Sequence, residues 1–228
     1  MTTHWQGLPT RLRDALESLR NPQVRPQVSL QEIPGPTRIA PYSVALEGSV
    51  TLDGHERSQG RFVVLFDPQG HEAWQGDFRV IAMCKALVES EFGGDPMLDE
   101  VAWTWLTEAL HASTGDVHAL GGTVTRVLST QCGVLANAPA GPTQSSSSDL
   151  GTRAEITSDD HWGTAVLGLP SVDIEIRASW TPTDTNLGAH LRAWAQLMCT
   201  AGGLEPLPDG VTALHSYRPQ ASPFAAVR

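Results

Sequence analysis

The sequence predicts an α+β fold: a five-stranded, mainly antiparallel sheet with helices packed on one face, in the order α-β-β-β-α-β-β-α. Three observations predict it. Two stretches, "YSVALEGSVTL" at 42–52 and "SVDIEIRASW" at 171–180, alternate apolar and polar residues with the period of a half-buried strand. Three others carry one apolar stripe each at helical spacing, so each helix has one face to bury. The first three strands are joined by short turns, which suit antiparallel neighbours.

The elements follow in order. "LPTRLRDALESLR", 8–20, puts Leu8, Leu12, Ala15, Leu16 and Leu19 on one stripe. Pro22, Pro26, Pro34, Pro36 and Pro41 then interrupt regular structure, so 21–41 reads as an extended connector, with "QVSLQEI" offering a short edge strand. The strand at 42–52 ends at Asp53-Gly54, which is turn chemistry. "GRFVVLF", 60–66, is a second strand with an apolar run that suggests burial on both faces. Asp67-Pro68-Gln69-Gly70 fits a type I turn closing a hairpin, and the third strand is "AWQGDFRVIAMCKALV", 73–88, with Trp74, Phe78, Val80, Ala82 and Cys84 inward.

In "GGDPMLDEVAWTWLTEALH", Asp95 suits an N-cap and Pro96 a first turn; Leu98, Val101, Ala102, Trp105, Leu106 and Ala109 form the inner stripe. The fourth strand spans about 118–131. The fifth, 171–180, buries Val172, Ile174, Ile176, Ala178 and Trp180. The last helix, about 185–201, turns Leu187, Leu191, Trp194, Ala195 and Met198 inward and leaves His190 half-exposed. The organisation is therefore an N-terminal helix and Pro-rich connector at 1–41 and a single domain at 42–210. That domain carries a flexible insertion at 136–165, rich in Pro, Gly and Ser, and a loose tail follows at 211–228.

Composition narrows function. The chain has 228 residues and a net charge of −10. Residues 1–40 hold five Arg against Asp14, Glu17 and Glu32, a balance of +2, which leaves −12 for the rest. An acidic main domain is a poor partner for nucleic-acid phosphates or anionic lipid. No apolar run is long enough to span a membrane and the start lacks a signal peptide's pattern, so the expected address is cytoplasmic. Cys84 and Cys199 lie in apolar patterns as small core residues. Cys132 ends a strand, and the odd count argues against a disulfide framework.

Motif chemistry is sparse. There is no P-loop, no dinucleotide fingerprint, no nucleophile elbow and no His-x-x-x-His pair, so no metal site and no cofactor is expected. Candidate binding residues remain. Asp173, Glu175 and Arg177 share one side of the fifth strand, with Arg79 and Lys85 on the third strand and Arg126 on the fourth placed to face them. His71 and Glu72 sit at a hairpin base, and Trp103 falls outside its helix's stripe, as an interface tryptophan would. Trp5 and Trp162 also fit no stripe. These residues point to a non-enzymatic binding or adaptor protein with a protein partner, and a homodimer is compatible with them. The alternative is a small metal-dependent hydrolase or nuclease-associated factor using the acidic residues of the open sheet face.

The strings "APYSVALEGSV", "GRFVVLFDPQGHEAWQGDFRV", "VAWTWLTEAL", "GGTVTRV", "VDIEIRASWTP" and "HLRAWAQLMCTAGGLEPLP" together resemble the actinobacterial family known as domain of unknown function 3000, over about 8–212. One lysine, Lys85, among fifteen Lys and Arg suits such a host. The resemblance implies a context beside a ribonuclease-D-like gene and supplies no reaction and no catalytic residue. The element order also looks like the type III secretion chaperone-like architecture, a set of small binding proteins, and this likeness is one of topology only.

Overall fold

The computed structural model describes residues 7–88, 92–129 and 171–205. The elements in chain order are α1 (Thr10–Leu19), β1 (Val28–Ile33), β2 (Tyr42–Leu52), β3 (His55–His71), β4 (Gly76–Val88), α2 (Leu98–Thr114), β5 (His118–Ser129), β6 (Ser171–Thr181) and α3 (Leu187–Ala201). The fold class is α+β, and among the described residues the sheet has six strands rather than five. The added strand is β1, the short edge segment inside the proline-rich connector. Its six residues pair with β2 from Val28↔Val50 to Ile33↔Ala45. The flanking prolines limit its length but leave its own amides free to pair.

The strand order is β1-β2-β3-β4-β6-β5, and every neighbouring pair is antiparallel. β1 to β4 form a meander. α2 then carries the chain past a vacant position, β5 forms the outer edge, and β6 returns to fill the slot between β4 and β5.

The β3–β4 hairpin closes later than its turn chemistry suggests. Phe66 pairs with Phe78 and His71 with Gly76, so Asp67–Gly70 bulges out within the ladder. Asp67 Oδ1 accepts from the Gln69 amide at 3.0 Å and stabilises the bulge. The reversal itself is a 3-10 turn, Glu72–Trp74, ended by Gln75 at φ 59°. Trp74 is consequently not core: it is half-buried and stacks on His71 at 4.8 Å.

The core lies between the sheet and the helices. The inner face of β6, from Val172 to Trp180, is buried at alternate residues as its period predicts. α3 is the central helix and is apolar on nearly all sides. It meets the sheet below and α1 and α2 beside it. Gly188 meets α1 closely, since its amide donates to Ser18 Oγ at 3.0 Å and a Cβ there would lie 2.3 Å from the Ser18 carbonyl oxygen. Trp194 rests in a slot on the sheet formed by Gly48 and Gly60, which pair across β2 and β3. Its Nε1 donates to the Met83 carbonyl at 2.9 Å. His190, expected half-exposed, is 2% exposed. α3 is enclosed on several sides, so a residue beside its main stripe is buried too.

α2 packs with Leu98, Ala102, Leu106, Ala109 and Leu110 inward. Val101, expected inward, is 41% exposed, and Trp105 is only partly buried, because the buried stripe runs one residue round the helix from them. Asp95 does not cap α2 directly. Its Oδ1 accepts from the Met97 amide at 2.8 Å in a turn just before the helix. The expected insertion at 136–165, the tail at 211–228, Cys132, Trp5 and Trp162 lie outside the described residues.

Candidate functional site

Among the described residues the helices lie on one side of the sheet; Ala45, Leu65 and Thr181 are buried on its other side too, while most side chains there are partly or fully exposed. Its geometry follows from cross-strand register. One row runs Gln31–Glu47–Arg61–Met83–Arg177–Thr123, and the next Ser29–Ser49–Gln59–Lys85–Glu175–Thr125. A third sets Asp173 between Leu87 and Val127. Asp173, Glu175 and Arg177 thus do share this face, as their spacing predicts.

They do not form one site with the other candidates. Glu175 and Arg177 pair with each other, and Lys85 is the cross-strand neighbour of Glu175. Asp173 stands in its row beside apolar Leu87 and Val127. Arg79 lies toward the other end of β4, bonded to Thr181; eight residues of β6 separate Thr181 from Asp173, roughly 26 Å at a strand's rise. His71 and Glu72 are exposed on the hairpin, away from this face's centre.

Arg126 and Trp103 are on the helix side. In β5 the register aligns Gly122, Val124 and Arg126 with the buried residues Ala178, Ile176 and Ile174 of β6. Arg126 reaches Asp99 of α2 at 3.0 Å and donates to the Asp95 carbonyl at 2.7 Å. It ties the start of α2 to the edge strand and lines no open face. Trp103 is half-buried, packed on the core and over Gly122, whose added Cβ would lie 2.9 Å from its ring. The missing side chain at Gly122 is what admits the indole, and this close approach takes Trp103 off the exposed surface.

Arg79 is the best-built polar group of the face. Nη1 donates to the Ala119 carbonyl at 3.0 Å and to Thr181 Oγ1 at 3.2 Å, and Nη2 donates to Ser179 Oγ at 2.6 Å. Thr181 Oγ1 in turn donates to the Trp74 carbonyl. Partial burial draws the Arg79 pKa below the ordinary guanidinium value, and all three acceptors are neutral. Ala119 stands at φ 48°, a left-handed conformation unusual for alanine, beside the β5 bulge between His118 and Gly121. Arg79 therefore joins β4, β5 and β6 where the edge strand is irregular. Sequence reasoning found the residue but not this role.

A shallow recess lined by Ser29, Gln31, Glu47, Ser49 and Gln59 lies at the β1 side of the same face. Sequence reasoning missed it. The signal was the run of small hydroxyl and amide side chains at alternate positions, visible as a group only once β1 is paired.

Catalytic chemistry finds few supports. Burial pushes the Cys84 thiol up to about 12, with a further contribution from Cys199, and the Cys199 thiol up to about 11. Both stay protonated near neutrality and are poor nucleophiles. Among the described residues no three His, Cys, Asp or Glu side chains are grouped to hold a metal ion, and no helix is long and apolar enough to cross a membrane.

No curated protein matches this chain. No solved structure matches it either, so the topological likeness to secretion chaperones is without support. The model for the family of proteins of unknown function, DUF3000, matches residues 8–142 and 140–212, and the chain belongs to that family.

Proposed function

We propose that this protein is a cytoplasmic, non-enzymatic adaptor that binds a partner protein on the open face of its sheet. One observation carries the reading. Among the described residues the three α-helices lie on one side, and on the other Ile81 is 37%, Leu87 51% and Val127 45% exposed, interleaved with Lys85, Glu175 and Arg177. Exposed apolar side chains grouped among charges suit contact with another protein surface. The partner would bring apolar side chains to Leu87 and Val127 and an acidic group to Arg177, whose side chain is 67% exposed.

The test is affinity capture from the host followed by mass spectrometry, using the natural chain beside Arg177→Glu and Leu87→Asp. Arg177→Glu sets three acidic groups along one side of β6 and should weaken capture, while stability shifts by only about 0.5 kcal/mol. Capture that both variants leave unchanged overturns the reading. So does a divalent-metal-dependent hydrolysis that Asp173→Asn or Glu175→Gln abolishes.

A further inference from the structure

The two edges of the sheet differ. β1 is six residues long, is followed by Pro34 and carries Glu32. Such features guard an edge against pairing with another chain. β5 has twelve residues, HALGGTVTRVLS, with no proline and no acidic residue. Its one full charge, Arg126, is engaged with Asp99 of its own α2. Among the described residues nothing pairs with its outer side. Val127 is 45% and Leu128 67% exposed at its end.

We propose that β5 is a self-association edge, on which the β5 of a second copy pairs antiparallel about a two-fold axis at Val124. Antiparallel pairing sets residues of like parity opposite each other, and the axis at Val124 gives a self-complementary match. Leu120 faces Leu128 of the copy, Gly121 faces Val127, Gly122 faces Arg126, and Thr123 faces Thr125. The exposed Leu128 gains an apolar neighbour, and Val127 lies over a glycine. Every pair is apolar, neutral or small, and no like charges meet.

A second copy is the occupant this edge fits best, for two reasons. An isologous pairing uses the same surface twice and closes, whereas joining β5 to the guarded β1 of another copy would leave free ends and polymerise. The paired stretch runs roughly 35 Å at about 3.4 Å per residue. With side chains above and below the sheet it buries on the order of 600 Å² per copy, near the lower bound for a stable interface. The product is one continuous twelve-stranded sheet with two copies of the open face side by side. The pairing stands whether or not that face binds a partner.

The experiment is sedimentation equilibrium of the full chain, which should show a species of twice 24.5 kDa that dissociates on dilution. Thr123→Lys with Thr125→Lys sets lysine against lysine twice across the axis. It should weaken association roughly tenfold, and Thr123→Glu with Thr125→Glu should do the same. Mixing the two variants should restore the dimer as a heterodimer. Hydrogen exchange on the natural chain gives a reading without substitution, since outward amides of β5 should be protected at high concentration and exchange freely on dilution. A monomer at all concentrations overturns the proposal. A dimer that ignores both double variants, or unchanged β5 exchange on dilution, overturns it equally.

Discussion

Trp180 donates its indole N–H to Nδ1 of His190 at 3.0 Å, with both side chains buried between β6 and α3. An acceptor at Nδ1 requires neutral imidazole with its proton on Nε2. Burial lowers the His190 pKa from 6.5 to about 4, against a small opposing pull from Asp184. The unfolded chain binds this proton more readily, so stability falls as pH drops from about 6.5 toward 4 and is unaffected by this group above that window. The loss should reach about 3 kcal/mol at most. Urea denaturation at pH 7 and pH 4.5 measures it. His190→Gln, which offers an acceptor but does not titrate, should flatten the dependence in that window.

Trp180→Ala should destabilise the protein by roughly 3–5 kcal/mol, as removal of a large aromatic from a packed interior does. The side chain is 0% exposed and is among the largest fully buried ones. A near-neutral midpoint in urea would contradict the register that puts Val172 to Trp180 inward.

Gly60→Ala should be costly for a small change. The new methyl would lie 2.1 Å from the Met83 carbonyl oxygen, which is the acceptor of the Trp194 indole. Backbone cannot yield as a side-chain end can, so a loss of roughly 3 kcal/mol is expected. Gly48→Ala meets only side-chain ends of Trp194, Met198 and Leu30 and should cost less. Paired thermal melts of the two variants check the order.

Arg79→Lys should lose about 1–2 kcal/mol, because one ammonium cannot span the three acceptors that the guanidinium fork reaches. The loosening should be local. Hydrogen exchange at His118–Gly122 should speed up more than at Thr125–Ser129, where β5 has its regular ladder.

Alternation along a strand was readable wherever one face is buried, so the inward set of β6 and the outward Asp173, Glu175 and Arg177 came directly from residue spacing. What failed was anything that depends on a neighbour. Arg126 lies two residues from Val124, and this parity already put it on the helix side; the bulge between His118 and Gly121 obscured the alternation. His190 lies three residues after Leu187 and four before Trp194, inside the apolar stripe, yet its polarity argued for the surface. The seat made by Gly48 and Gly60 is invisible in one dimension, because it exists only once β2 and β3 are in register. The candidate site dispersed for the same reason. Arg79 and Asp173 both face outward, but only strand order and register reveal the length of sheet between them.

The late return of β6 has a consequence for synthesis. The β1 to β4 meander is complete when Val88 has been made, but its β4 edge stays open while α2, β5 and the following forty-odd residues emerge. Among the described residues β5 has no partner until β6 arrives to lie between it and β4. The Trp194 seat and the His190 acceptor come later still, on the last helix. A nascent chain therefore carries an unsealed strand edge on β4 from about residue 88 until β6 is complete at Thr181, an interval in which that edge can pair wrongly.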